Sequence, residues 1–258
     1  GACVLLYGGS LLQLPTDNRH TGQTGRDWAG RFMALAEQTK DERLKAYYAA
    51  GMPSGDTPIK DVPLMAMDVE TTGLNPAKDG IVSVGILPMN LDRIQSSASR
   101  HWFVQPHVPL ADESVTIHGI THSQLVDAPK LVDILGDLLE AISGHVLVVH
   151  CRAIERQFLN NALTRMIHEP IEMPMIDTME LEARLYRNRK PLSWWDRVIR
   201  KKQQKNVSIR LADSRVRYGL PFYKPHHAVT DALATAELLQ AQIAHRFSPD
   251  TPLDELWC

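Results

Sequence analysis

The spacing of apolar residues predicts helical structure in residues 26–50. The apolar positions recur every three or four residues, which is the period of one helix face. They are Trp28, Phe32, Leu35 and Ala36. Gly51 and Pro53 follow this stretch, and both residue types end helices. The segment 51–63 is rich in Pro, Gly and Asp and therefore has the composition of a linker.

A different pattern begins near Leu64 and predicts a mixed β-sheet. Three apolar runs of strand length, at 64–69, 80–89 and 99–106, are separated by turn-forming residues and predict a meander. Predicted helices and short apolar strands then alternate. The helices begin near 131, 151, 178 and 226, and the strands span 145–150 and 173–177. This order is typical of an α/β fold with a mixed five-stranded sheet and helices on both faces.

Composition is that of an ordinary globular protein. The 258 residues are 44% hydrophobic, which is enough to bury a sizeable core. The sequence contains no run of eighteen apolar residues, so we expect no membrane span. Cys3, Cys151 and Cys258 lie far apart, which fits a reducing compartment better than a disulfide framework. We therefore expect a cytoplasmic location.

These patterns divide the chain into four parts. The apolar opening, residues 1–25, lacks the basic region of a signal peptide, and we expect a loosely attached terminus. Residues 26–60 would form an N-terminal helical extension with its linker. Residues 61–248 would form the main domain with a basic insertion at 187–208, followed by a C-terminal tail at 249–258.

Charge is distributed unevenly along the chain. The net charge is only −2, yet the stretch from Arg184 to Arg217, here called the basic strip, has twelve Lys and Arg against two Asp. Its cations could neutralise nucleic-acid phosphates, and Trp194 or Trp195 could stack on unpaired bases. The alternatives are a solvated loop or helix whose tryptophans pack on the body, and a contact with a partner protein or acidic lipid.

The first predicted strand carries two carboxylates, Asp68 and Glu70. Because side chains alternate along a strand, both point to one face while Val69 points to the other. Two like charges about 4 Å apart repel by about 4 kcal/mol at an effective dielectric of roughly 20. A divalent cation would relieve that repulsion. The alternative is a strand that has reached solvent and turns at Thr71 and Thr72.

Two more carboxylates begin predicted helices. Asp231 shares a helix face with Ala228 and Ala232, small residues that allow close approach to a sheet. Glu155 lies in the first turn of the helix after the fourth strand, near the sheet edge where α/β sites usually form. Each residue taken alone could instead compensate a helix dipole, a common arrangement.

Three motifs change the interpretation when they are taken together. DVETTGL, VVHCRAIERQFL and HHAVTD resemble, in order and spacing, the motifs of the DEDDh or DnaQ-like exonucleases, which include the proofreading epsilon subunit of bacterial DNA polymerase III. The acidic positions and the histidine of that family fall on Asp68, Glu70, Glu155, Asp231 and His226. SVTIHGIT and MIDTMELEARL, with Asp177 and Thr178, also look familial. The resemblance covers about 64–247 and implies a ribonuclease H-like fold.

The resemblance implies phosphodiester hydrolysis with two Mg²⁺ or Mn²⁺ ions per active site, held by the four carboxylates. Asp68 would bridge both ions. Glu70 and Asp231 would complete the site that binds the attacking water, and Glu155 would support the second ion. The family usually has Asp in place of Glu155, and the extra methylene moves the carboxylate outward by about 1.5 Å. We expect this change to be tolerated; otherwise the protein is a catalytically weak relative. Cys151 would be a packed residue, because these ions prefer oxygen.

The same resemblance implies that His226 is the general base, five residues before Asp231. Its neighbour His227 would be solvated or face a phosphate. The alternative for His226 is a histidine at a helix N-terminus with no chemical role.

The resemblance also implies a pocket for the substrate terminus. Its residues would be Thr71, Thr72, Gly73, Leu74 and His118. Backbone N–H groups of the turn would lie near the 3′ hydroxyl, and Leu74 would press against the last base. The alternatives are turn chemistry for the threonines and core packing for Leu74.

Together these features predict a metal-dependent 3′–5′ exonuclease that removes nucleotides from single-stranded or frayed DNA. The same fold acting on RNA 3′ ends is one alternative, since the sequence shows no evident reader of a 2′-hydroxyl. A catalytically weak, nucleic-acid-binding module associated with a polymerase is the other. A DNA polymerase or another replication or repair protein is the suggested partner, and no membrane partner is expected.

Overall fold

The structure, a computed structural model, describes residues 26–110, 119–187 and 207–258. The predicted terminus at 1–25, the candidate residue His118 and nearly all of the basic insertion lie outside the described residues. The predictions made for those segments therefore stay predictions.

Five strands form one mixed sheet with the order β3-β2-β1-β4-β5. The predicted meander consists of β1 (Leu64–Thr71), β2 (Ile81–Met89) and β3 (Arg100–Phe103), paired antiparallel. β4 (Val146–Val149) and β5 (Met175–Asp177) continue the sheet in parallel on the other side of β1. The predicted mixed five-stranded sheet is confirmed. β1 is central and buried along its whole length, so any polar residue on it needs a partner.

The sheet is surrounded by helices. They are α1 (Trp28–Gln38), α2 (Glu42–Ala49), α3 (His122–Leu125), α4 (Leu131–Ile142), α5 (Arg152–Ile167), α6 (Thr178–Arg187), α7 (Leu211–Arg217) and α8 (Ala228–Arg246). The longer helices among residues 131–247 were predicted, whereas α3 and α7 are too short to show a clear period. None of the helices in the described part is long and apolar enough to cross a membrane.

The helical stretch predicted for residues 26–50 consists of two helices. Thr39 adopts an extended conformation after α1, and the Asp41 side chain caps α2 by accepting from the N–H groups of Arg43 and Leu44. Phe32 packs edge-on against the rings of Tyr47 and Tyr48, all within the main core. The extension thus shares its hydrophobic core with the sheet.

The last residues of the chain also pack on the sheet. Met175 of β5 and Cys258 exchange two backbone hydrogen bonds of 3.1 Å each, and Trp257 is buried beside Ile176. The segment predicted as a tail therefore lies along the edge strand. The proposed division of the chain into domains stays a prediction.

α8 packs directly on β1 and β2 through small residues. A Cβ atom on Gly85 would lie 2.6 Å from the backbone carbon of Ala228, closer than van der Waals contact allows. Ala228 and Ala232 are both buried, which confirms the predicted small-residue face. Because Gly85 stands opposite Asp68 in the sheet, this close approach brings the first turn of α8 over that carboxylate.

Candidate active site

Three carboxylates meet where β1 and α8 touch. Asp68 and Glu70 point to the same face of β1, as predicted, and Asp231 comes from the first turn of α8. One carboxylate oxygen from each lies within 4.8 Å of the others. All three side chains are only 3% exposed. The alternative in which the strand simply reaches solvent at Asp68 and Glu70 does not fit this burial.

Glu155 approaches the same group from α5. It lies in the first turn of that helix and is 2% exposed, with Phe158 and Leu159 buried on the same helix. Within the described residues, the tight metal-compatible group contains Asp68, Glu70 and Asp231 but not Glu155. Burial raises the pKa of Glu155 well above its ordinary value, and the charge of nearby Asp68 raises it further. The fourth carboxylate is therefore beside the group and electrostatically linked to it.

Asp177 fixes the start of α5 and so the position of Glu155. Its carboxylate accepts backbone hydrogen bonds from Cys151 (2.9 Å), Arg152 (3.0 Å) and Met179 (3.0 Å). Cys151 precedes the helix with φ 91°, a left-handed conformation that L residues rarely adopt. The bonds from Cys151 and Arg152 stabilise that turn, and the bond from Met179 links it to the start of α6. Cys151 itself is buried.

The electrostatics of the group favour a bound cation. Burial raises the pKa of Asp68 to about 6, and the charge of Asp231 adds to the effect. Burial also raises the pKa of Glu70 well above its ordinary value, with a further contribution from Asp68. The buried atoms Glu70 Oε1 and Glu155 Oε2 have no hydrogen-bond partner. A buried acceptor without a donor is costly, and a cation can replace the donor.

The donor set fits a hard divalent metal. Carboxylate oxygens are the ligands that Mg²⁺ and Mn²⁺ prefer, and repulsion among the charges falls when such an ion lies between them. Asp68, Glu70 and Asp231 would hold it, with Glu155 beside them. Three of the four predicted metal ligands are thus brought together, while the number and identity of the ions belong to the proposal below.

His226 lies beside Asp231 of this group in an unusual backbone conformation. Its φ is 75°, and its N–H donates to Asp231 Oδ2 at 3.0 Å. α8 begins two residues later than the apolar pattern predicted, because this conformation does not continue a helix. His226 Nδ1 is buried and has no hydrogen-bond partner. Burial lowers the pKa of His226, with partial compensation by Asp231, so the ring is neutral at neutral pH.

His227 has a different role from its neighbour. It is exposed, caps α8 by accepting from the Thr230 N–H at 3.4 Å, and lies with its ring centroid 4.8 Å from that of His101. The prediction that His227 is solvated agrees with this exposure. The contact with His101, which lies on the short edge strand β3, was not predicted from the sequence.

The loop that carries His226 is attached to α8 by a buried arginine. Arg215 donates to the carbonyl groups of Ala234 (2.7 Å) and Pro221 (2.8 Å), and its guanidinium stacks on Tyr223 at 4.6 Å. Only 3% of Arg215 is exposed. These contacts span the segment between α7 and His226. Arg215 was counted among the nucleic-acid-binding cations of the basic strip, but here it positions the loop.

Other described residues near the basic strip are also structural. Arg217 donates to Glu182 Oε2 at 2.8 Å, and Ile209 accepts a 3.0 Å hydrogen bond from His150 Nε2. Burial lowers the pKa of His150 to about 3, so this ring is a neutral donor to the carbonyl group. Most of the basic strip lies outside the described residues, so its contact with phosphates stays a prediction.

The turn predicted to hold the substrate terminus is tightly bonded within itself. Thr71 Oγ1 donates to the Gly73 carbonyl at 2.6 Å, and the Thr72 N–H donates to the Gly80 carbonyl at 2.8 Å. The Gly80 N–H in turn donates to Thr72 Oγ1 at 3.0 Å. The turn chemistry proposed as the alternative is therefore present. Leu74 is half-buried against the main core, a position compatible with both interpretations.

Asp177 and Arg215 are the positioning residues whose roles the sequence did not reveal. Asp177 stood in a familial signature, and its place directly after a short apolar strand was a signal for a residue at the active edge of the sheet. Arg215 carried no such signal, since it lies in a stretch where most residues with its charge were assigned to solvent or phosphate.

Comparison with known proteins identifies the class of this fold and site. The sequence model of the RNase T family, described as an exonuclease, matches residues 65–239. The chain belongs to this exonuclease family, and its predicted resemblance to the DEDDh exonucleases is confirmed.

Among individual relatives, the chain is similar to bacterial polymerases. It is 29% identical over 186 residues to DNA polymerase III PolC-type of Bacillus subtilis (strain 168), covering 70% of this chain and 11% of the relative. The same protein of Oceanobacillus iheyensis is 31% identical over 121 residues, covering 45% of this chain and 8% of the relative. The chain thus spans only about a tenth of the length of these relatives.

Solved structures show the same fold at lower identity. The zinc-bound complex of E. coli ExoI with single-stranded DNA has a TM-score of 0.59 at 15% identity, covering 72% of this chain and 41% of the other. The nuclease domain of 3′hExo, a DEDDh family member bound to rAMP, has a TM-score of 0.54 at 16% identity, with 72% and 92% covered. The predicted ribonuclease H-like fold is confirmed by these structures.

Proposed function

We propose that the protein is a metal-dependent 3′–5′ exonuclease that shortens single-stranded or frayed DNA from its 3′ end. The observation that carries the proposal is the group of buried carboxylates at the β1–α8 contact, with Glu70 Oε1 and Glu155 Oε2 lacking donors. Membership of the exonuclease family supports phosphodiester hydrolysis as the reaction. The PolC-type relatives favour DNA as the substrate.

The residues around the group have separate tasks. When bound, Mg²⁺ or Mn²⁺ supplies an activated water and neutralises charge on the phosphate, and two such ions would divide these tasks. Asp68, Glu70 and Asp231 supply the ligands, and their burial keeps competing water away. Glu155 would add a fourth negative charge beside these ligands. Isothermal titration with Mn²⁺ would count the ions, and a stoichiometry of one would contradict the two-ion form of the proposal.

His226 would take the proton from the attacking water. Its ring is neutral at neutral pH because burial lowers its pKa, and the buried Nδ1 atom has no internal partner. A neutral imidazole can accept a proton, and the adjacent carboxylate of Asp231 stabilises the cation that forms. The backbone bond from His226 to Asp231 keeps the base and the ligand in one arrangement.

The turn at 71–74 would support the 3′-terminal nucleotide. Its internal hydrogen bonds make it rigid, and it begins one residue after Glu70. The Thr72 N–H is already used within the turn, so we assign recognition of the terminal sugar to the remaining surface of the turn, formed by Gly73 and Leu74. His118 is proposed to face this turn on the strength of the motif alone.

The direct test uses 5′-labelled DNA and RNA oligonucleotides with free or blocked 3′ ends, incubated with Mg²⁺ or Mn²⁺. We expect a ladder that shortens from a free 3′ end, runs faster on DNA than on RNA, and vanishes in the Asp68→Ala variant. Cleavage that persists in that variant, or products that begin inside the strand, would overturn the proposal. Faster digestion of RNA than of DNA would instead indicate that the protein is an exoribonuclease.

A polymerase partner is proposed on the relatives alone, which carry this kind of domain within a much longer chain. Co-elution of the protein with a purified bacterial replicative polymerase in size-exclusion chromatography is the expected result. Separate elution at micromolar concentrations of both proteins would contradict it.

A further inference from the structure

A cleft beside the 71–80 turn, lined by none of the site carboxylates, has the chemistry of a nucleotide site. Its volume is about 260 Å³, close to the lower end of small-molecule sites, which is about 300 Å³. Its walls are the start of β2, the segment after β3, the first turn of α4 and the second half of α5. A cleft of this size holds one small ligand rather than a stretch of polymer.

The rim of the cleft is cationic. Its two charged residues are Lys130 and Arg165, and no carboxylate lines it within the described residues. His107 lies beside them with its pKa lowered by burial and by the charge of Arg165, so its ring is a neutral polar group at neutral pH. The structure gives the Arg165 guanidinium no hydrogen bond or ion pair with any described residue, and its charge lies close enough to His107 to affect that ring. Lys130 and Arg165 therefore give the cleft two positive charges without a lining carboxylate, which favours a bound anion.

One acidic residue lies near the rim but is already engaged. Asp79 is close to His107, yet its carboxylate accepts from Thr72 Oγ1 at 3.1 Å and from the Asn75 N–H at 2.9 Å. It therefore serves the turn and does not enter the cleft. Arg165 is left as the strongest site for a phosphate, since a guanidinium binds phosphate oxygens in pairs.

The floor of the cleft is apolar. Ile81, Leu131 and Ala162 are buried there, and Met166 is half-buried beside them. An apolar floor can hold a nucleobase while the rim holds its phosphate, a combination that a bare inorganic anion would not use.

The cleft is also connected to the proposed substrate turn. A Cβ atom on Gly80 would lie 2.7 Å from His107 Nδ1, so the ring packs on the end of that turn. Gly80 exchanges hydrogen bonds with Thr72, and Ile81 pairs with Thr71 in the sheet. A ligand in the cleft would therefore lie close to the turn that follows Glu70.

We propose that the cleft lined by His107, Lys130 and Arg165 binds a nucleoside 5′-phosphate unit outside the carboxylate centre. The unit would be either a nucleotide within a bound strand or a free mononucleotide. The strand form rests on the proposed function, whereas the mononucleotide form does not depend on hydrolysis.

The test measures binding by the full chain in EDTA, so that the carboxylate centre holds no metal. The probes are dAMP, followed by isothermal titration, and a 5′-fluorescein (dT)₁₀ oligonucleotide, followed by anisotropy at several salt concentrations. The variant is Arg165→Gln, and the matched control is Arg93→Gln, an exposed arginine outside the cleft. Thermal unfolding should be the same in both variants because both side chains are exposed.

We expect Arg165→Gln to weaken binding of at least one probe by about tenfold, and Arg93→Gln to leave both unchanged. For the oligonucleotide, loss of one phosphate contact should reduce the slope of log affinity against log salt by about 0.7. Weaker binding of dAMP assigns the cleft to free mononucleotides; weaker binding of (dT)₁₀ alone assigns it to a strand. Equal binding of both probes by the two variants would overturn the proposal.

The result is separable from the proposed function. If the protein shortens no oligonucleotide but binding still depends on Arg165, the exonuclease proposal fails and the cleft remains. If it degrades DNA while Arg165→Gln binds both probes as the control does, only the cleft proposal fails.

Discussion

Buried carboxylates in two regions of this protein differ in whether they accept hydrogen bonds. At the β1–α8 contact, Glu70 Oε1 and Glu155 Oε2 are buried without a hydrogen-bond donor. Between α6 and α8, the equally buried Glu182 accepts from Tyr218 Oη (2.6 Å), Arg217 Nη2 (2.8 Å) and Gln242 Nε2 (2.9 Å). All three residues are buried glutamates, but only Glu182 has hydrogen-bond donors to all of its buried oxygens.

The pKa values follow the donors. Burial acts to raise the pKa of all these carboxyl groups, and it does so for Glu70 and Glu155. For Glu182 the hydrogen bonds from Tyr218, Gln242 and Arg217 outweigh burial, and its pKa lies below the ordinary value. Burial alone therefore does not mark a functional carboxylate. What distinguishes the two kinds is the hydrogen-bond donor. Glu70 and Glu155 have buried oxygens without a donor and could bind a cation, whereas Glu182 is bonded to residues of neighbouring elements.

The largest expected effect concerns the base beside the unsatisfied group. His226→Ala should lower kcat by about 10²- to 10⁴-fold, the usual contribution of general acid–base catalysis. Mn²⁺ affinity by isothermal titration should change little, because the ligands remain. His227→Ala is the matched control, since His227 is exposed and only caps α8. Equal loss in both variants would show that His226 acts through the loop and not as the base.

The satisfied carboxylate should matter for stability and not for metal binding. Glu182→Gln should reduce the free energy of unfolding by about 3 kcal/mol, since it breaks a buried ion pair on one side. Urea unfolding in EDTA measures this loss. Glu70→Gln is the counterpart and should not lower stability in EDTA, because it removes a charge that has no donor. If Glu70→Gln lowered the free energy of unfolding as much as Glu182→Gln does, the distinction between carboxylates with and without donors would fail.

Asp177→Asn tests whether the position of Glu155 depends on the backbone bonds at the start of α5. An amide can accept through one atom only, so at least one of the three bonds is lost. Groups that orient metal ligands typically contribute about 10- to 100-fold, and we expect a loss of about tenfold in Mn²⁺ affinity. Asp213→Asn, on an exposed side chain in α7, is the control. Unchanged affinity would show that α5 keeps its place without Asp177.

The pH dependence of stability should reveal the raised carboxyl groups. Folded Asp68, with its pKa raised from 3.8 to about 6, keeps a proton that the unfolded chain releases. Between these values the native state binds more protons, so the melting temperature in EDTA should fall as pH rises through this window. Mn²⁺ should restore stability above pH 6 and have little effect near pH 4, where protons compete for the ligands. In Asp68→Asn the fall should be smaller.

The smallest effect is expected from Glu155→Asp, which installs the residue usual in the family. The protein has packed around the longer side chain, which is 2% exposed. We expect kcat to fall by less than about tenfold, the lower range for residues that tune a metal site. Steady-state rates on a 5′-labelled oligonucleotide measure it. A rise in kcat would instead show that Glu155 limits the present enzyme.

Most elements of the fold could be predicted from local sequence patterns. The alternation on β1 placed Asp68 and Glu70 on one face, and the apolar runs placed all five strands, because burial on both faces leaves a strong hydrophobic signal. The break between α1 and α2 was missed, since Thr39 and Asp41 interrupt the backbone without disturbing the apolar period. The left-handed conformation of His226 was missed as well, because it depends on the hydrogen bond to Asp231.

The sequence by itself determined the order of the strands along the chain, the identity of the acidic motif residues and the small-residue face of α8. Each of these depends on neighbours a few positions apart. The tertiary structure alone decided which charges have partners. Arg215 stands in the basic strip and Glu182 in a predicted helix, and both are buried and bonded. His107 and Arg165 lie 58 positions apart and meet at one cleft. Whether a charge is satisfied depends on groups that only folding brings within a few ångströms, so no local pattern can report it.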